Sequence, residues 1–183
     1  MDTPVTLQTQ RLRLRPWLPA DAEPFARMNA DPEVMAHYPT RLTRAQSDEQ
    51  MNRLARHITE TGWGLWAVEV IDIEPFIGYC GLWPATFDAP FTPAIEIGWR
   101  IARPFWGKSY AFEAAEAAMN FGFETLGLAE IVSFTTPANV RSQRLMERLG
   151  MSRNPADDFD HPRLPVGHPM RPHVLYRKSR DLS

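Results

Sequence analysis

The sequence predicts a mixed α/β protein of one domain, with a mostly antiparallel central sheet flanked by helices. Three observations predict it. Extended runs and amphipathic helical runs are both present. Two apolar runs in the middle of the chain are joined by a connection of hairpin length. The second half alternates strand, helix, strand, helix and strand.

Taken in order, Thr6 to Pro16 alternates with a period of two over its second half and reads as a first strand. Pro19-Ala-Asp-Ala-Glu opens a helical segment through Ala30, with proline and acids where a helix start favours them. Asp31 to His37 can begin a further short helix. Thr43 to Thr61 carries Met51, Leu54, Ala55 and Ile58 at helical spacing, with Gly62 placed to stop it. Trp63 to Ile71 and Phe76 to Leu82 read as strands, antiparallel across Asp72-Ile-Glu-Pro75, and Pro93 to Ile101 as the next. Ser109 to Leu126 reads as a helix whose Ala111, Ala114, Ala115 and Ala118 let it lie close to a sheet. Glu130 to Thr136 follows as a strand, Asn139 to Leu149 as a helix ended by Gly150, and Val174 to Arg177 as a closing strand. Residues 153–172, rich in proline and aspartate, read as a long loop, a length that suits either a lid or a disordered surface segment.

At 183 residues the chain is long enough for one well-buried core and short for two. A hydrophobic content of 44% against 23% charged residues describes a globular chain rather than a disordered one. The net charge of −2 provides no electrostatic case for nucleic acid or an anionic membrane as partner. Cys80 is the one cysteine and lies in an apolar run, which suits a buried thiol in a reducing compartment. The first eight residues show neither a basic start nor an apolar signal core, and no run approaches the ~20 apolar residues of a membrane span. A cytoplasmic location is expected.

The segment Arg103-Pro-Phe-Trp-Gly-Lys-Ser-Tyr-Ala111 joins a predicted strand to a predicted helix through Gly107. Helix starts leave backbone N–H groups unpaired and carry partial positive charge, so such a junction can seat a diphosphate. A tight connection serving only packing would carry the same residues. In the last predicted helix Asn139 stands where an N-cap belongs, and Ser142, Leu145, Met146 and Leu149 fall on one face. A hydroxyl on an inward face needs a partner, either the preceding helical turn or a site.

Together these residues resemble the GNAT superfamily of N-acetyltransferases, and within it the ribosomal-protein N-terminal acetyltransferases. The similarity runs through Leu7 to Arg15, Phe76 to Leu82 and Ile95 to Trp99, and is greatest in Trp106 to Ala114 and Asn139 to Gly150. The resemblance implies transfer of an acetyl group from acetyl-CoA to an amine by direct transfer in a ternary complex. The phosphate-binding loop would fall on Pro104 to Ser109, with Pro104 replacing a basic or amide residue, Ser109 a small one, and Gly107 retained. Trp106, Gly107, Lys108, Ser109, Tyr110 and Ala111 would surround the pyrophosphate, and Trp99, Arg100 and Ile101 would hold the pantetheine arm as an added strand. Asn139 would contact the cofactor. Many members place a tyrosine seven residues after the asparagine as general acid; Met146 stands there and cannot give a proton. Ser142 matches the serine of the ribosomal-protein branch.

Direct transfer also needs a base, because an amine with a pKa of ~8 to 10 is mostly protonated at neutral pH. Glu96 is the candidate, on the strand beside the proposed thioester path; a solvated or salt-bridged strand glutamate is its alternative. The acceptor could be a protein N-terminus, an amino acid, a polyamine or an antibiotic. Members of the family are often dimers, which leaves a homodimer open. A CoA-binding sensor or scaffold that kept the nest but lost catalysis is the second class of function.

Two further signals are set aside. Ala102 to Ser109 satisfies a relaxed nucleotide-triphosphate loop pattern, but Pro104 removes a donor, Phe105 and Trp106 add bulk, and Glu69 breaks the best magnesium-binding partner motif, which leaves Lys108 as a solvent-facing charge that a CoA phosphate could approach. His161, His168 and His173 have spacings that fit no common zinc site, so no metal is expected and the three are assigned to a loop surface.

Overall fold

The computed structural model describes residues 3–180. A single mixed sheet runs through them. Its order is β1 (Leu7–Gln8), β2 (Leu12–Arg15), β3 (Leu65–Val70), β4 (Glu74–Ala85), β5 (Ala94–Ile101), β6 (Glu130–Thr135), β9 (Pro172–Ser179) and β7 (Ser152–Arg153), with β8 (Phe159–Asp160) also paired to β9. All neighbours are antiparallel except β5 and β6. Helices flank the sheet. α1 (Ala22–Ala30) and α2 (Arg44–Thr61) pack on β3 and β4, and α3 (Tyr110–Asn120) packs on β2, β4 and β5. α4 (Val140–Arg148) lies against β6 and α3.

Local chemistry explains the ends of these elements. α2 begins at Thr43, whose hydroxyl accepts from the Gln46 N–H while the Gln46 side chain returns to the Thr43 N–H, and it stops at Gly62 with φ 84°. In α3 the fully buried Ala114, Ala115 and Ala118 bring the helix close to the sheet. The core beneath includes Leu12, Leu14, Phe25, Leu54, Ile58, Trp66, Ile77, Leu82 and Ile97, and Cys80 is fully enclosed. Among the described residues no helix is long and apolar enough to cross a membrane.

Four expected elements come out differently. The stretch from Thr6 to Pro16 is two short strands, paired Leu7 to Leu14 and Gln8 to Arg13, because Thr9 turns the chain: its hydroxyl accepts from the Leu12 N–H at 2.9 Å and donates to Glu113 at 2.6 Å. Asp31 to His37 makes turns rather than a helix, since the Asp31 carboxylate takes the Glu33 N–H at 2.8 Å. The helix after Gly107 is regular only to Asn120 and ends in a π-helical turn, Phe121–Thr125. Residues 153–172 are not an unstructured loop, for they contain β8 and fold back on β9.

Candidate active site

Between β5 and α3 the chain makes a 3-10 turn at Arg103–Phe105 and then passes through two residues in the left-handed region, Gly107 at φ 74° and Ser109 at φ 60°. Pro104 sits in the first turn of that 3-10 segment, where its missing N–H would have had no intrahelical partner. The first pairing at the start of α3 is the Glu113 N–H to the Ser109 carbonyl at 3.1 Å, which leaves the N–H groups of Tyr110, Ala111 and Phe112 without a helical acceptor. These three residues and Gly107 line a cavity of about 780 Å³. One wall is α4, which presents Arg141, Arg144 and Arg148 one turn apart; Arg141 lies 3.8 Å over the Trp106 ring and Arg148 lies 4.4 Å over Phe112.

The two halves of the sheet diverge beside this cavity. β5 and β6 share one registered pair, Glu96 with Val132, although β6 is then paired along its full length with β9. The Ser133 hydroxyl bridges the gap to the Ile97 carbonyl at 2.9 Å. Past that point Trp99, Arg100 and Ile101 have β4 on one side and the cavity on the other. Trp106 Nε1 donates to the Ile101 carbonyl at 2.6 Å and so fixes the indole across the strand end.

A second cavity, of about 420 Å³, opens on the other side of the same split. Glu96 lines it. The carboxyl is half-buried, and desolvation pushes its pKa up to about 7, with the nearby Arg163 guanidinium pulling the other way. Trp83, Phe87 and Phe134 form apolar walls, and the segment before β9 closes it with His161, Arg163 and Leu164, joined by His173 from β9 itself. His161 stacks 4.6 Å from Phe87, and burial, the neighbouring His173 and Arg163 lower its pKa to about 4. His37, Tyr38, Trp99, Arg100, Asn139 and Ser142 line both cavities, so the two spaces meet at these six residues.

The family model for the acetyltransferase (GNAT) domain matches residues 11–152. The chain belongs to the GNAT acetyltransferases. Among its relatives is YkkB of Bacillus subtilis, 33% identical over 152 residues, which are 82% of this chain and 87% of YkkB. Another is the FsC-acetyl coenzyme A-N(2)-transacetylase of Aspergillus fumigatus, 32% identical over 80% of this chain and 65% of its own length. An acetyltransferase structure from Agrobacterium tumefaciens matches with a TM-score of 0.77 and 26% identity, covering 98% of this chain and 97% of that one. Mycobacterium smegmatis RimJ, solved with CoA-disulfide, matches over 96% of this chain and 88% of its own with a TM-score of 0.75; at 19% identity the likeness is one of fold.

Of the residues that the GNAT pattern singles out, Trp99, Arg100, Ile101, Trp106, Gly107, Ser109, Tyr110, Ala111, Asn139 and Ser142 all line the larger cavity. Glu96 is reached only from the smaller one. Lys108 lines neither: its carbonyl accepts from Arg11 at 3.2 Å and its ammonium lies 5.6 Å from the Phe105 ring. The Asn139 side chain is taken by its own helix and by the end of β6, its Oδ1 accepting from the Ser142 N–H at 3.3 Å and its Nδ2 donating to the Thr135 hydroxyl at 2.9 Å. The Arg100 side chain turns inward to Asn29 and stacks 4.1 Å from Tyr38, leaving its backbone at the cavity. Met146, almost fully buried, stands in the wall of the smaller cavity without a proton to give.

Sequence reasoning missed His37, Tyr38, Arg141, Arg144, Arg148 and Arg163, and placed His161 and His173 on a loop surface whereas they pack against Phe134 and Phe159. A signal existed for α4, where three arginines recur at helical spacing, i, i+3 and i+7. For the others only the folded chain joins positions so far apart. Among the described residues no group of three or more His, Cys, Asp or Glu side chains is arranged to hold a metal ion.

Proposed function

We propose that the protein moves an acetyl group from acetyl-CoA to a primary amine by direct transfer within a ternary complex. The observation that carries this is the pair of cavities meeting at Trp99, Asn139 and Ser142, with Glu96 in one and the start of α3 in the other. The residues present fit acetyl-CoA. Unpaired N–H groups at the start of α3, together with Arg141, Arg144 and Arg148, suit its phosphates. The β5 edge at Trp99 to Ile101 suits the amide-bearing pantetheine arm. The CoA-disulfide held by the fold neighbour from Mycobacterium smegmatis supports the same assignment.

On this reading the acceptor amine enters the smaller cavity and Glu96 takes its proton, directly or through water, as nitrogen bonds to the acetyl carbon and the carbon–sulfur bond breaks. A carboxyl with a pKa of about 7 suits the task, since it is substantially ionised at neutral pH yet basic enough to hold the proton. Ser142 stands at the junction of the cavities, with no hydrogen bond from its hydroxyl to the preceding turn among the described residues. That hydroxyl is free to donate to the departing thiolate. A hydroxyl is a poor acid, so its role is a hydrogen bond rather than complete proton transfer.

The test is steady-state release of CoA thiol with a panel of amines, alongside calorimetry of acetyl-CoA binding. Glu96→Gln is expected to lower kcat by roughly 10²- to 10⁴-fold and to erase the rise of rate with pH centred near 7. Ser142→Ala is expected to cost about tenfold, with acetyl-CoA affinity unchanged in both variants. Wild-type rates in both would overturn these roles.

A further inference from the structure

We infer that the acceptor is a small amine that also carries a carboxylate, and that Arg53 and Arg163 form the anion-binding end of the acceptor cavity. This rests on the acetyl-transfer reading above. Arg53 comes from α2 and Arg163 from the segment before β9, 110 positions apart, yet both line the cavity that holds Glu96. Each guanidinium lies beside an aromatic wall, Arg53 at 5.8 Å from the Trp83 ring and Arg163 at 5.7 Å from the Phe87 ring.

Neither is paired with a carboxylate among the described residues, whereas nine other arginines of the chain are. Arg141, Arg144 and Arg148, on the wall of the larger cavity, are likewise without a carboxylate partner among the described residues. Glu96 is the sole carboxylate lining the acceptor cavity, and the remaining cation, Arg100, is spent on the Asn29 side chain. Two guanidinium groups without a carboxylate partner, both on exposed residues, therefore share the cavity with one carboxylate that must stay available to the amine.

Such a cavity selects by charge. A polyamine or an aminoglycoside would bring further positive charge against Arg53 and Arg163, whereas a molecule with one amine and one carboxylate can satisfy Glu96 and the arginines together. The guanidinium fork is suited to a carboxylate in particular. A volume of about 420 Å³ suits a molecule of amino-acid size, and Trp83, Phe87, Phe134 and Leu164 provide apolar contact for a side chain.

The experiment compares kcat/KM for L-phenylalanine, L-leucine and 5-aminovalerate with that for the matching carboxamides and for spermidine, in wild type, Arg53→Gln, Arg163→Gln and Arg163→Lys, with acetyl-CoA affinity measured by calorimetry in each. The expected result is a preference for at least one acid over its amide of roughly 10- to 100-fold. That ratio should fall toward unity in both glutamine variants and be partly retained with lysine, with acetyl-CoA affinity unchanged. Equal or better use of the amides or of spermidine, or a ratio that the glutamine variants leave untouched, overturns the inference while acetyl transfer stands. A protein that binds acetyl-CoA and acetylates none of these amines also overturns the inference, and release of CoA thiol with peptides bearing free N-termini then decides whether acetyl transfer stands.

Discussion

Glu96, the proposed base, is also a group whose ionisation bears on stability. Its carboxyl is raised from 4.5 to about 7 chiefly by desolvation, so the folded protein binds this proton more tightly than the unfolded chain does. The group is then most compatible with the fold below pH 4.5, and that contribution is lost as pH rises through about 7. Glu96→Gln removes an ionisation the fold resists, so the variant is predicted to be more stable than wild type at pH 8, by about 1 to 3 kcal/mol, and close to it at pH 4.5. Urea unfolding at the two pH values measures this, and a variant destabilised equally at both would refute it. The placement of its side chain, as distinct from its role, was legible in the sequence, because strand alternation between Ile95 and Ile97 sets it apart from theirs. Lys108, read from the sequence as a solvent-facing charge, is exposed and lines neither cavity. Arg163 was illegible: its place beside Glu96 depends on β8 and β9 folding back over the split.

The elements that position the site divide between those with local signals and those without. α2 was readable to within a residue at both ends because its capping box and its left-handed Gly62 are written in adjacent residues. The β1–β2 turn was not, because the Thr9 hydroxyl that anchors it binds Glu113, more than a hundred positions away. The junction between β5 and α3 is the case where local chemistry shapes the larger cavity. Gly107 holds φ 74° with nothing within 4 Å of where a Cβ would stand, so alanine meets no clash there and only a backbone penalty of ~1–2 kcal/mol. Gly78, by contrast, adopts φ 144° in β4 with the Arg100 carbonyl oxygen where a Cβ would lie, so any side chain there pushes β5 away. Gly107→Ala is therefore predicted to fold normally, relax toward negative φ and weaken acetyl-CoA binding about tenfold. Calorimetric affinity within about twofold of wild type would show that the N–H groups of this turn do not seat the phosphates.

Over the whole molecule the charge is distributed against its sum. The chain carries a net −2, yet the walls of its larger cavity hold Arg141, Arg144 and Arg148 against a single carboxylate, Glu33, which is paired with Arg103 at 2.7 Å. The three arginines have no ion pair among the described residues, and two of them rest on the rings of Trp106 and Phe112, which hold their charge at the cavity rather than out in solvent. An anion approaching this face meets a local field opposite in sign to the molecule's net charge, and because these groups are open to water that field is screened by salt. Acetyl-CoA affinity is accordingly predicted to fall as salt rises from ~0.05 to ~0.5 M, where the screening length shortens from more than ~10 Å to about 4 Å. The double variant Arg144→Gln/Arg148→Gln should bind roughly tenfold more weakly at low salt and show a much flatter salt dependence. Lys108→Gln provides the contrast: its side chain carries the same charge a few residues away but lies outside the cavity, so it should leave both affinity and salt slope near wild type. If Lys108 proved to carry the salt dependence and the two arginines did not, the phosphates would lie on the outer face of the turn, and the α4 wall would have to be assigned to packing.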